Sequence, residues 1–361
     1  MSRNYRIAIV GVGAIAGMHA RAIGDLPNAK LVAGSCRTAE KGRKFAAEFG
    51  CNWYPDYEQM MDRERPDVVT LCTPSGAHLE AALAAAHRGI HVLCEKPLEI
   101  TTQRCDRMIE AARQAGITLG GVFPQRFNPV LEAVHAAAAA GRFGSIAAAS
   151  CYVPWWRDDA YYAPDRWQGK LALDGGGALM NQSIHGVDGV QWLATAAGCG
   201  SVEQVFAFTA KRGHDQALIE VEDTCVAVLR FANGALGQVL AATSMWPGQL
   251  RRLQIAGRDG FAEVLEDQLI TFRFREESPA DDAIRARFAA ESQTQGGASN
   301  PMAINYGLHT RNIAAFLDAL DGKRPLMLNA AEARKAVAII EAIYRSAACG
   351  QPVDLPGSPT A

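Results

Sequence analysis

The sequence lacks a membrane-length apolar run, a basic block and any paired-cysteine spacing, and each absence removes a class of function. Without about 20 consecutive apolar residues, no membrane-spanning helix is expected. Lys plus Arg number 36 against 38 for Asp plus Glu, a formal net charge of −2. The electrostatic footprint of a nucleic-acid partner is therefore missing. The nine cysteines are an odd number, scattered singly, with no CxxC pair. In a chain of 361 residues, that pattern suits reduced thiols in a cytoplasm, each a small buried apolar residue, better than a disulfide frame. The one HxxxH spacing, His87 and His91, straddles the glycine stop between a helical and a strand-like segment in "AAAHRGIHVLC", so no metal site is expected. The opening "MSRNYRIAIV" runs straight into a strand-like segment, leaving no room for a signal peptide.

What is present is a large apolar inventory, 49% of the residues, enough for two domains with separate cores. The first third alternates strand and helix. "YRIAIVGVG", "KLVAGSC", "DVVTLCTP", "IHVLCEKP" and "ITLGGVF" are apolar throughout, as strands are when helices cover both faces of a parallel sheet. Between them lie helical segments such as "AEKGRKFAAEF", stopped by Gly50, and "TTQRCDRMIEAARQAG", with threonines at the N-cap position and Gly116 as its stop. This pattern predicts a doubly wound domain over residues 1–124. From residue 125 to 361 the pattern changes to one helix followed by consecutive strands. "TCVAVLRFANGALGQVLAAT" reads as a hairpin closed by Asn-Gly. An α+β domain with a mostly antiparallel sheet is expected there, with a polar loop over about 276–303 and two closing helices.

"GVGAIA" places Gly11, Gly13 and Ala16 in the GxGxxG/A pattern, directly after the first strand. Gly11 would make the tight turn, and Gly13 would let the backbone approach a pyrophosphate. The anion would then rest on the helix N-terminus at Ala14 and Ile15. The residue that normally binds the ribose 2′-hydroxyl is an Asp or Glu after strand two. Here "GSCRTAEK" offers Ser35, Arg37 and Thr38 instead, a set suited to a 2′-phosphate. NADP is therefore favoured over NAD.

Ligands of open α/β sheets bind beyond the carboxyl ends of the strands. "CTPSGAH" brings Thr73, Pro74 and His78 to that edge, and "CEKP" brings Glu95 and Lys96. In the second domain, "LMNQSIHGVD" puts Asn181, His185 and Asp188 at i, i+4 and i+7, a polar stripe on one helix face. A base, a cation for developing alkoxide charge and an orienting amide are the groups that hydride transfer from a carbinol requires. Gln182 and Ser183 read as ordinary solvated residues.

Together, "GVGAIA", "EKP" and the polar-x-x-x-His helix resemble the glucose-fructose oxidoreductase/inositol dehydrogenase/rhizopine-catabolism (Gfo/Idh/MocA) family, over nearly the whole chain. The resemblance implies an N-terminal Rossmann domain with a doubly wound parallel sheet and a C-terminal α+β domain with a large, mostly antiparallel sheet. It implies Lys96 and His185 as the catalytic pair, a cis proline after Lys96, and Asn181 where the family often has Asp. It also brings Gln125 and Arg126 of "FPQRFNP" to the nicotinamide end. "WWRDDAYY", "LDGGGALMNQSIHGVD", "EVEDTCVAVLRFANGALG" and His309 are similar to the UDP-N-acetylglucosaminuronate 3-dehydrogenase subgroup. That likeness implies Arg157, Tyr161, Asn181, Asp188 and His309 at the substrate and Trp167 near the cofactor, with anchoring of the helix from behind the alternative role for Asp188. The chain departs from the subgroup at "WQGKL" and in having no acid after strand two.

The function these readings imply is NAD(P)-dependent hydride transfer at a pyranose or sugar-nucleotide carbon, C3 among the candidates, by a homodimer or homotetramer. Two alternatives stay open. One is a glycoside-cleaving enzyme working by transient C3 oxidation and elimination. The other is a cofactor-binding sensor without catalysis.

Overall fold

In a computed structural model, which describes residues 3–290 and 306–355, the alternating first third forms one six-stranded sheet. Its strands are β1 (Tyr5–Val10), β2 (Ala29–Ser35), β3 (Asn52–Tyr54), β4 (Val68–Leu71), β5 (His91–Cys94) and β6 (Leu119–Gly121). Their order is β3-β2-β1-β4-β5-β6, and every pairing is parallel. Strand order reverses between β1 and β4, the point where such sheets bind ligands. The helices are α1 (Ala14–Gly24), α2 (Ala39–Phe49), α3 (Tyr57–Glu64), α4 (His78–His87) and α5 (Thr102–Ala115). Their ends follow local chemistry. The Thr101 hydroxyl accepts from Arg104 N at 3.2 Å, and Gly50 and Gly116 take the left-handed conformation with φ of 64° and 66°. β3 and α3 were not anticipated, although Asp56 and Gln59 stand at capping-box spacing and Asp56 does cap α3.

The second half builds an eight-stranded sheet. Its elements in chain order are α6 (Pro129–Ala139), β7 (Ile146–Pro154), the short α7 (Leu171–Asp174) and α8 (Ile184–Ala196). Then come β8 (Val202–Ala210), β9 (Thr224–Phe231), β10 (Leu236–Ala242), β11 (Arg252–Gly257), β12 (Gly260–Leu265) and β13 (Gln268–Phe274). The chain closes with α9 (Pro279–Ala290), α10 (Gly307–Leu320), α11 (Ala330–Cys349) and β14 (Val353–Asp354). Sheet order is β13-β12-β11-β7-β10-β9-β8-β14. β7 and β10 run parallel and the other pairs antiparallel. The Asn233-Gly234 turn closes the β9/β10 hairpin as its sequence implies, with Gly234 at φ 88°.

Three expectations need correction. Residues 276–303 are not one loop. The Asp281 carboxylate accepts from Ser278 N at 2.7 Å and from Ser278 Oγ at 2.8 Å, and α9 follows with Phe288 buried. The remainder of that stretch lies outside the described residues, as does the tail "PGSPTA". β12 was missed because "GFAEVL" is short and follows a turn. The chain also divides into Met1–Pro124 with Asn305–Lys335, and Gln125–Ile304 with Ala336–Ala361, not into two consecutive blocks. The apolar face of α10 explains this. Ile313, Phe316 and Leu317 share a core with Ile7, Ile9 and Ala20. A Cβ at Gly120 would stand 2.8 Å from the Phe316 ring, so this helix needs the glycine in β6. All nine cysteines are thiols. Among the described residues, no helix is long and apolar enough to cross a membrane.

Candidate active site

In the first unit the glycine turn is built for a close ligand. Gly11 has φ 92°, and a Cβ there would lie 2.8 Å from the backbone nitrogen of Thr73. Only glycine fits, because both the conformation and the space are denied to a side chain. Gly13 is the N-cap of α1. It offers no side-chain cap, the first turn has no acid, and a Cβ on Gly13 would meet nothing within 4 Å. An uncapped helix N-terminus open on that side fits a pyrophosphate, received by the amides of Ala14 and Ile15. The two glycines should therefore separate experimentally. Gly11→Ala is expected to cost about 1–3 kcal/mol of stability in unfolding experiments. Gly13→Ala should leave unfolding unchanged while weakening cofactor binding in a fluorescence titration.

Ser35 ends β2 buried, and its carbonyl accepts the Gly11 N–H at 2.9 Å. Arg37 and Thr38 are exposed, and residues 35–39 contain no carboxylate. Thr73 and Pro74 follow β4, half-buried. His78, expected to line the crevice, is 1% exposed. Its ring nitrogens lie 3.0 Å from the Pro97 carbonyl and 3.1 Å from that of Thr73, so it ties the two turns together from behind. The Lys96–Pro97 peptide is cis, as the resemblance implied. Lys96 is half-buried, and its N–H donates to Glu95 Oε2 at 3.1 Å. Glu95 Oε1 meets His19 and His309. These three are the one group of potential metal-ligating side chains found among the described residues. His309 lies on α10, which belongs to the first unit.

In the second unit the polar residues converge around a break in helix geometry. Residues Ala178–Ser183 form a π-helical turn, and α8 continues from it. π turns inside helices often mark functional sites. Glu222 anchors the entrance by accepting from Gly177 N at 3.0 Å, Leu179 N at 2.8 Å and the Tyr344 hydroxyl at 2.9 Å. Burial pushes its carboxyl above the usual range. The glycine run before the turn has a steric cause, since a Cβ on Gly177 would sit 1.9 Å from the Glu222 carbonyl oxygen. Asn181 donates to Asp174 Oδ1 at 2.7 Å. An aspartate at 181 would set two carboxylates against each other, which accounts for the asparagine. Asn181→Asp should therefore raise a carboxyl pKa and lower stability, measurable as pH-dependent unfolding that worsens toward alkaline pH.

Gln182, read as solvated, is buried. It accepts from Arg157 Nη2 at 2.8 Å and donates to the Tyr161 hydroxyl at 2.7 Å. Arg157 is 3% exposed and packs over the rings of Trp155 and Tyr161. Burial pushes Tyr161 up to about 12, so its hydroxyl is a donor near neutrality. His185 is half-buried in the first turn of α8. Asp188 points elsewhere. It is 1% exposed and takes both Nε and Nη2 of Arg126, at 2.8 and 2.6 Å. A carboxylate so engaged serves as the helix anchor, and Arg126 is consumed in the same pair. Gln125 and Trp167 are half-buried. Gln182, Asp174, Glu222 and His19 are the residues that sequence reasoning missed. The "EVED" acids carried the only signal for Glu222.

Comparison with known proteins agrees with this architecture. Residues 5–121 match the oxidoreductase family with an NAD-binding Rossmann fold, and residues 131–263 match the GFO/IDH/MocA C-terminal domain. Among solved structures, the WlbA dehydrogenase from Bordetella pertussis, in complex with NADH and UDP-GlcNAcA, is 32% identical with a TM-score of 0.88. The match covers 99% of each chain. D-glucoside 3-dehydrogenase of Escherichia coli (strain K12) is 25% identical, covering 98% of both chains. Myo-inositol 2-dehydrogenase of Thermotoga maritima is 27% identical over 71% of this chain and 73% of that protein. The chain belongs to the Gfo/Idh/MocA family of NAD-binding oxidoreductases.

Proposed function

We propose that this oxidoreductase transfers a hydride between a nicotinamide cofactor and C3 of a pyranose carried by a sugar nucleotide of the UDP-N-acetylglucosaminuronate class. The observation that carries the proposal is the 32% identity to the WlbA dehydrogenase across 99% of both chains. A relative named for oxidation at position 3 of glucosides adds to it. When bound, the cofactor supplies the hydride acceptor or donor. In the oxidising direction, His185 takes the hydroxyl proton and the Lys96 amine stabilises the negative charge developing on that oxygen. Asn181, Arg157, Tyr161 and the newly found Gln182 are the groups proposed to read the sugar. The four are buried or half-buried, and each is held by hydrogen bonds or ring contacts that limit its freedom to reorient.

For the cofactor, exposed Arg37 and the absence of a carboxylate at 35–39 support a preference for NADP, although the WlbA structure carries NADH. Arg37→Ala is expected to raise the KM for NADP about tenfold and leave that for NAD unchanged. Equal effects on both, or a wild type that prefers NAD, would refute the 2′-phosphate argument. Oligomerisation is proposed through the open face of the large sheet, where Phe208, Val226 and Val228 are 66%, 41% and 52% exposed.

The test is a cofactor-reduction assay on the purified chain with sugar nucleotides, free pyranoses and aryl glycosides. Stoichiometric reduced nicotinamide with a sugar nucleotide, and a 3-keto product by NMR, is the expected result. Release of a free sugar without net reduction would replace the proposal by the elimination mechanism.

A further inference from the structure

Three titratable side chains from three elements of the first unit meet beside the Lys96 turn, and the dinucleotide motif uses none of them. His19 of α1 places Nε2 2.9 Å from Glu95 Oε1. His309 of α10 places its Nε2 3.6 Å from the same oxygen. The two imidazoles lie 5.4 Å apart, tilted. Glu95 Oε2, the other oxygen, accepts the backbone N–H of Lys96. All three side chains are buried, with exposures of 0%, 6% and 4% for His19, Glu95 and His309.

A carboxylate removed from water tends to become neutral. Burial pushes Glu95 up, but the hydrogen bond with His19 and the neighbouring His309 ring outweigh it and hold the carboxyl well below its usual range. Burial holds His19 below the ordinary imidazole value in spite of Glu95. The consistent state is an ionised Glu95 accepting the N–H of a neutral His19, with the His309 ring 3.6 Å away. The Nδ1 atoms of His19 and His309 have no hydrogen-bond partner among the described residues. That suits bare acceptor nitrogens better than buried N–H groups. It also argues against a shared divalent cation, although the three donor atoms lie within 4.8 Å of one another. A metal-bound histidine ordinarily donates its second ring N–H to a partner.

We propose that His19 and His309 are positioning residues that lock Glu95 in place, so that its far oxygen fixes the Lys96 backbone and with it the Lys96 amine. The proposal rests on the reading of Lys96 as a catalytic group. The other titratable groups paired electrostatically with Glu95 are Cys72, Cys94 and His78. Burial pushes both thiols well up and holds His78 down, so these three are uncharged near neutrality. The Glu95 charge therefore depends on the two neighbouring imidazoles, His19 through its hydrogen bond and His309 through proximity.

The test compares His19→Leu and His309→Leu, which remove the donor, with His19→Gln and His309→Gln, which keep an N–H at similar reach. kcat is followed against pH, and the Glu95 carboxyl is titrated directly by 13C NMR of glutamate-labelled protein, with Glu95→Gln assigning the signal. In the leucine variants the Glu95 titration should move up, and kcat should fall as pH drops through it. The loss should be roughly ten- to a hundredfold, with the sugar KM within about twofold, since both histidines act through Glu95 on the Lys96 backbone and a positioning effect falls on kcat. The glutamine variants should recover most of kcat. Should a leucine variant not fold, the size-preserving Glu95→Gln variant carries the test, with a similar loss of kcat expected at every pH. Unmoved Glu95 titration, or a wild-type kcat profile in the leucine variants, would overturn the proposal. So would zinc bound at one per chain and needed for activity. Full activity in Lys96→Ala is a different outcome and refutes the catalytic reading itself.

Discussion

Lys96→Ala is expected to lower kcat about a thousandfold, the scale of losing one preorganised group that stabilises oxyanion charge, or about 4 kcal/mol of barrier. Cofactor affinity and unfolding midpoint should stay near wild type, because Lys96 is half-buried at a strand end and contributes little to the core. The reason for so large an effect is the placement. β5 delivers the side chain at the carboxyl edge of the sheet, and the buried Glu95 holds its backbone. His185→Asn should cost roughly a hundredfold or more through loss of the base, and raising the pH should not restore it, since hydroxide lacks the imidazole's position. The double variant should lose less than the product of the two single effects, because groups serving one proton-and-charge transfer are not additive. Single-turnover absorbance measurements separate these losses from product release.

The second large effect concerns stability. Arg126 and Asp188 form a bidentate pair with both side chains 2% exposed. Removing one partner strands a buried charge, which costs about 3–5 kcal/mol. Arg126→Met should therefore weaken the protein by that amount in urea unfolding. The double variant Arg126→Met/Asp188→Leu should regain most of it, because the desolvation cost disappears with both charges. A double variant as unstable as the single one would mean that the guanidinium's packing over Trp192, 5.5 Å from the ring centre, matters more than the charge. As Asp188 sits one turn beyond His185 on α8, the single variant should also lose kcat at temperatures where it remains folded.

Much of the architecture was legible because its causes are local. Apolar strands, the Thr101 cap, the left-handed glycines and the Asn-Gly turn announce themselves within a few residues. Lys96 at a strand end and the glycine turn could be read the same way. What escaped was set by distant partners. Spacing put Asp188 on a polar stripe with Asn181 and His185 and left a helix-anchoring role open, but only the fold identifies the partner, Arg126, 62 positions away. Gln182 looked solvated because a regular helix was assumed. The π turn changes the phase of its side chain, and Arg157 and Tyr161 then claim it. His19 is one histidine on an alanine-rich helix, with nothing nearby in sequence to suggest Glu95. The address of α10 was hidden for the same reason, since an amphipathic helix does not state which core it will join.

Direct hydride transfer from the sugar carbon to the nicotinamide is the central step of the proposed reaction. The decisive measurement uses a UDP-N-acetylglucosaminuronate labelled with deuterium at C3, incubated with the enzyme and oxidised cofactor and followed by NMR. The deuterium should appear on the reduced nicotinamide, one per 3-keto sugar formed. Deuterium that stays on the sugar, or that is lost to water while no reduced nicotinamide accumulates, would contradict it.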